Sequence, residues 1–168
     1  MVRWSKVLMT WALAMFAFMV SFNNITDYDS NFAFVQHVLS MDTTFPSNKA
    51  MYRAMTSPLV WHAAYWLIIL AEGITCLLLS MGCVTMWRAR RASASEFARS
   101  KKWMIAGCTA GFLVWFFGFV VVGGEWFLMW QSDTWNGQDA AFKAYMAMLG
   151  VLIYTMQPDP ELEPAGDA

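Results

Sequence analysis

Trp103–Trp130, WMIAGCTAGFLVWFFGFVVVGGEWFLMW, decides how this chain is read: it holds one charge, Glu125, in twenty-eight residues and runs into a polar turn, QSDTWNG. At about 1.5 Å rise per residue, its uncharged part from Trp103 to Gly124 is long enough as a helix to cross a hydrocarbon layer of roughly 30 Å. It reads as a membrane span. At about 100° per residue, Gly107, Gly111, Gly118 and Glu125 fall on one helical face, and Gly107 with Gly111 forms a GxxxG pair. Small residues let a neighbouring backbone approach, so Gly107, Gly111 and Gly118 are expected to pack against another helix. Phe112, Trp115, Phe116, Phe119 and Trp126 lie on the other side, where lipid contact or groove filling explains them better than a cofactor does.

Working outward, RARRASASEFARSKK precedes this span and carries Arg88, Arg90, Arg91, Arg99, Lys101 and Lys102 against one acid, Glu96. Short basic loops stay in the cytoplasm. That rule explains the cluster, and no recognition fold accompanies it to suggest nucleic-acid binding. Before the loop, Ser57-Pro58 suits a helix start, and the apolar run from Leu59 to about Trp87 holds a single well-buried ionisable group, Glu72. Counted from Leu59, Glu72 sits about 20 Å down its helix, whereas Glu125 lies about 33 Å from Trp103 on a helix entering from the opposite side. Glu72 is therefore expected at mid-depth facing other helices, and Glu125 near the outer surface in water. A carboxylate at mid-membrane is a functional-site candidate by its cost alone. His62 lies one helical stretch before it.

At the N-terminus, Arg3 and Lys6 precede an apolar run from Val7 to Phe22 without an Ala-x-Ala site after it, so the segment is read as a retained span rather than a cleaved signal peptide. Thr10, Ala14, Ala17 and Ser21 share a face suited to packing. From Asn23 to Ser57 the chain is polar. Within it Asn31–Met41 has helical spacing but is too short to span, and reads as a short extra helix in the first outside loop. A last span is expected from about Ala140 to Gln157, with Ala140, Ala144, Ala147, Val151 and Tyr154 on one face. The expected architecture is all-α: a single domain over residues 1–157 with four transmembrane helices and both termini cytoplasmic. An acidic, Pro-rich disordered tail follows over residues 158–168.

Composition supports the membrane class. Hydrophobic residues make up 58% of 168 and Asp, Glu, Lys and Arg only 14%, against about 25% in soluble domains. Cys76, Cys83 and Cys108 are odd in number and lie inside expected spans, so they form no secreted disulfide framework.

The segments SFNNITDYDSNFAFVQHVLSMDTTFP, WHAAYWLIILAEG and VVGGEWFLMWQSDTWNGQ resemble the signatures of the DUF2165 family of predicted small integral membrane proteins of bacteria, over about Arg3 to Pro158. The resemblance implies four transmembrane helices in the bacterial inner membrane and carries no activity with it. The pattern assigns no catalytic residue, no metal ligand and no cofactor. One expectation is a non-enzymatic accessory or assembly subunit of a larger complex, contacting lipid and either another integral membrane protein or a second copy of itself. The alternative is a redox or transport component handling quinone, haem or protons near His62, Glu72 and Glu125. A bis-histidine haem would need facing imidazoles, and the chain has only His37 and His62.

Overall fold

Pro58 opens the longest helix, α3 (Pro58–Ala89): its missing N–H is one that a first turn leaves unused anyway, and Ser57 before it is extended. Ser57 makes no side-chain cap bond; its carbonyl accepts from Val60 N and Trp61 N instead. The buried stripe of α3 runs Tyr65, Ile69, Glu72, Thr75, Leu79, Gly82 and Met86 at intervals of three and four. Leu67, Leu70, Ile74, Leu77, Met81 and Val84 point outward and are exposed. A helix apolar on both sides belongs in lipid.

The computed structural model describes residues 1–161. Before α3 come α1 (Val2–Thr26) and α2 (Tyr28–Ser40); after it come α4 (Ala94–Ser100), α5 (Lys102–Phe112) and α6 (Gln138–Met156). Short 3-10 turns occupy Met51–Arg53 and Met129–Gln131. Helix α1 buries Thr10, Ala14, Ala17 and Ser21, as their spacing predicts, and extends that face to Lys6 at one end and Asn24 at the other. Asp27 breaks the helix, and α2 then folds back as the short helix expected in this loop. Val38, Met41, Phe127 and Met129 join α2 and the loops beside it into an apolar cap over one end of the bundle. Ser93 and Glu96 form a reciprocal capping box that starts α4, a helix inside what the charge pattern marked only as a basic loop.

Glycines set the distance between α3 and α5. A Cβ on Gly82 would stand 2.5 Å from the backbone nitrogen of Met104, and one on Gly107 would stand 2.7 Å from Leu79 Cγ. At Gly111 a Cβ would collide with Met148 Sδ of α6 and come within 3.1 Å of Thr75 Cγ2. Gly118 is different: a Cβ there would meet only Leu113 O, at 3.9 Å. The reason lies in the turn. From Leu113 to Trp126 the helix widens into a π-helix, a form otherwise found mostly as single-turn bulges. The wider turn breaks the 100° register that grouped Gly118 and Glu125 with Gly107 and Gly111, and Glu125 is exposed.

The expectation of four transmembrane helices is corrected to three. Among the described residues, the helices long and apolar enough to cross a membrane are Val2–Thr26, Pro58–Ala89 and the path Ala94–Trp126. Helix α6 falls short because Asp139 and Lys143 occupy its first two turns and Tyr145, Gly150, Tyr154 and Thr155 dilute the rest. It nevertheless lies along the bundle, from Gln138 against Gly124 to Gln157 beside Lys6. Its buried face, Ala141, Ala144, Met148, Val151 and Thr155, is rotated from the one expected. Of the expected tail, residues 158–161 are described and 162–168 lie outside the described residues.

Overpacking a close contact costs about 1–3 kcal/mol and sometimes more. Gly82→Leu is therefore expected to lower the melting temperature and folded yield in detergent sharply. Gly150→Leu, where a Cβ has nothing within 4 Å, is expected to leave both nearly unchanged. Equal behaviour of the two variants would contradict backbone contact between α3 and α5.

Candidate functional site

Glu72 is 1% exposed at the middle of α3. Two asparagines reach it in sequence. Asn24 at the end of α1 donates Nδ2–H to Glu72 Oε2 at 2.8 Å, and Asn31 of α2 donates Nδ2–H to Asn24 Oδ1 at 2.9 Å. Tyr65, two buried stripe positions and two turns before Glu72, donates its hydroxyl to Asn24 O at 3.2 Å. Asn24 is thus fixed by three bonds, and its amide orientation follows from them. A polar chain from α2 through α1 to α3 results, and it satisfies one oxygen of the carboxylate.

These side chains line a cavity of about 380 Å³. Its walls are apolar and aromatic, with Phe16 and Trp115 at 5.3 Å between ring centroids and Phe34 and Phe119 at 6.0 Å. Beside it runs a second, almost wholly apolar cavity of about 310 Å³, which shares Phe34, Val35, Ile68 and Phe119 and reaches the exposed Leu67 and Phe117. Gly118 lines this second cavity rather than a helix contact. No ion pair reaches Glu72 among the described residues.

The other sequence candidates stand apart from Glu72. His62 is exposed, stacks on Phe32 at 4.2 Å between centroids and shares a 2.8 Å hydrogen bond with the Tyr28 hydroxyl. Burial, and then the nearby Asp29 charge, push the Tyr28 hydroxyl above its ordinary value. His37 pairs with Asp42 at 2.8 Å and stacks on Trp135 at 4.6 Å. Each imidazole is engaged locally, and they do not face one another. Among the described residues no three His, Cys, Asp or Glu side chains gather as a metal site.

Sequence reading missed a second polar centre at the opposite end. Lys6 is fully buried and donates to Gln157 O at 2.6 Å and to Asp159 Oδ1 at 3.0 Å, while Lys101 reaches Asp159 Oδ2 at 2.6 Å. Arg3 donates to Ala92 O at 2.6 Å and to Pro160 O at 2.8 Å. Both described chain ends therefore meet at this basic end. The signal for Asn24 was present, because it follows Ser21 by three on the packed face of α1. Nothing local to Asp159 marks its partners, which lie more than fifty residues away.

Three apolar membrane-crossing helices around a buried carboxylate define an α-helical multi-pass integral membrane protein. The chain belongs to the family described as predicted small integral membrane protein (DUF2165), whose model matches residues 2–158. No curated protein and no solved structure matches it.

Burial alone would push the Asp159 carboxyl up, but the bonds and charges of Lys101 and Lys6 hold it below the usual carboxylate range. A carboxyl lowered by folding adds stability that is full above its unfolded value and is lost as pH falls through its folded one. Asp159→Asn leaves two buried ammonium groups without a counter-charge, a loss of about 3–5 kcal/mol. The expected result is a lower melting temperature at neutral pH and a weaker dependence of melting on acid pH than in the natural chain. Superimposable melting profiles for the two would contradict the Asp159 linkage.

Proposed function

We propose that the protein is a non-enzymatic accessory or assembly subunit of a larger inner-membrane complex, docked on another integral membrane protein or on a second copy of itself. The observation that carries this reading is an apolar patch on the cap, at the end of the third span and in the loops beside it. Tyr52 is 79% exposed, Phe45 51%, Trp126 50% and Trp130 46%. Two contacts organise it: Phe45 meets Trp130 at 5.8 Å between centroids, and the Arg53 guanidinium lies over both Tyr52 and Trp126. Clustered aromatics with an arginine resemble the side chains that anchor protein interfaces. Copurification from native membranes in mild detergent is expected to yield a stoichiometric partner, and Tyr52→Ala with Trp130→Ala to release it while the chain stays folded. A lone, monodisperse chain would overturn the reading.

The orientation that accompanies it puts the basic end in the cytoplasm. Arg3, Lys6, Arg88, Arg90, Arg91, Arg99, Lys101 and Lys102 are eight of the eleven basic residues and belong to that end, which supports cytoplasmic placement of the start of α1 and of the loop between α3 and α5 under the positive-inside rule. Reporter fusions at Asp42 and Ala94 are expected to report opposite sides. The same side for both would remove α3 as a crossing.

The cavity beside Glu72 favours a second reading, in which the subunit also handles a small molecule or protons within the membrane. Buried carboxylates in spans mark such pathways by default. The bonds from Asn24 and Asn31 supply its polar side.

A further inference from the structure

We propose that the Glu72 cavity is a binding site for a small lipophilic organic cation of the arylalkyl-ammonium class, which enters from the lipid; this rests on the second reading above. Glu72 is 1% exposed and accepts a bond from the neutral Asn24, yet no basic side chain pairs with it among the described residues. A buried carboxylate without a cation is costly, and a proton or a cationic ligand must complete it. Contrast the basic end, where the chain supplies the counter-charge itself: Asp159 meets Lys6 and Lys101.

Phe16, Phe34, Tyr65, Trp115 and Phe119 line the same cavity as Glu72 and come from α1, α2, α3 and the π-helix. Aromatic faces attract cations most strongly where water is excluded, and a cage of rings is the recognised solution for alkylammonium groups. A carboxylate inside such a cage distinguishes a cation from a neutral molecule of the same shape. The volume, about 380 Å³, lies within the range of small-molecule sites.

The adjoining apolar cavity shares Phe34 and Phe119 with the site and opens beside the exposed Leu67 and Phe117. A ligand dissolved in the bilayer thus reaches Glu72 sideways, between α3 and the π-helix. Gly118 leaves that side open, since its nearest neighbour to a Cβ is Leu113 O at 3.9 Å.

Equilibrium dialysis of the purified full chain in mild detergent against benzyltrimethylammonium tests the proposal. The expected result is saturable binding at one site per chain, weakened at least tenfold by Glu72→Gln and unchanged by Glu125→Gln. Gln keeps an oxygen for Asn24, so helix content and elution volume should hold. If Glu72→Gln does not fold, Phe119→Leu replaces it and should weaken binding severalfold. The neutral, nearly isosteric alcohol 2-methyl-1-phenylpropan-2-ol should not compete. Equal binding by the folded Glu72→Gln or Phe119→Leu variant overturns the site. Equal competition by the alcohol overturns the choice of a cation and leaves small-molecule handling standing. Absence of saturable binding by either compound overturns both.

Discussion

A carboxyl group surrounded by hydrocarbon has to find its partners inside the protein, and the bond from Asn24 to Glu72 meets that requirement at the centre of this molecule. Much of the surrounding geometry depends on it. For Asn24 to reach mid-α3, α1 must continue helical beyond its apolar run, and α2 must turn back so that Asn31 can hold the other end of the Asn24 amide. The Tyr65 hydroxyl then closes on the backbone of Asn24. Loss of a bonding partner here leaves a buried polar group unsatisfied, which costs about 1–3 kcal/mol, more than the bond itself contributes on balance. The network consequently fixes register among three helices whose apolar side chains would tolerate several.

Van der Waals contact supplies what the polar network does not. Between α3 and α5 the glycines bring backbones together without any hydrophobic drive, because lipid tails are as apolar as the side chains they would replace. Gly82, Gly107 and Gly111 form a continuous seam, and Met148 of α6 fills the space at Gly111. Beyond Leu113 the seam ends, the helix widens, and cavities take the place of contact. Tight packing toward the basic end and open volume toward the cap thus follow from a change in helical turn.

What could be read from the sequence was whatever depends on neighbours along the chain. The apolar runs, the Ser57-Pro58 start, the packed face of α1 and the burial-prone Glu72 are all local patterns, and the structure contains each of them. The π-helix was invisible because face assignment presupposes a constant turn. The fourth span was overcounted because α6 keeps an apolar face while its ends and aromatic hydroxyls lower its average apolarity. Half of the Glu72 site was legible: the carboxylate from its depth, and Asn24 from its spacing after Ser21 on the packed face of α1, but not Asn31, whose polarity suggested loop. The Lys6–Asp159–Lys101 arrangement joins residues from three distant parts of the chain, and no local pattern encodes it.

That arrangement has a consequence for the order of biogenesis. Lys6 is made before its carboxylate partner, which follows 153 positions later. Throughout synthesis and insertion the N-terminal lysine must remain in water or on headgroups, since its buried place is habitable only once Asp159 arrives. The basic end therefore closes last, after every membrane-crossing helix has been delivered. Synthesis of Asp159 becomes a structural event: a nascent chain stopped before it keeps an open, hydrated end.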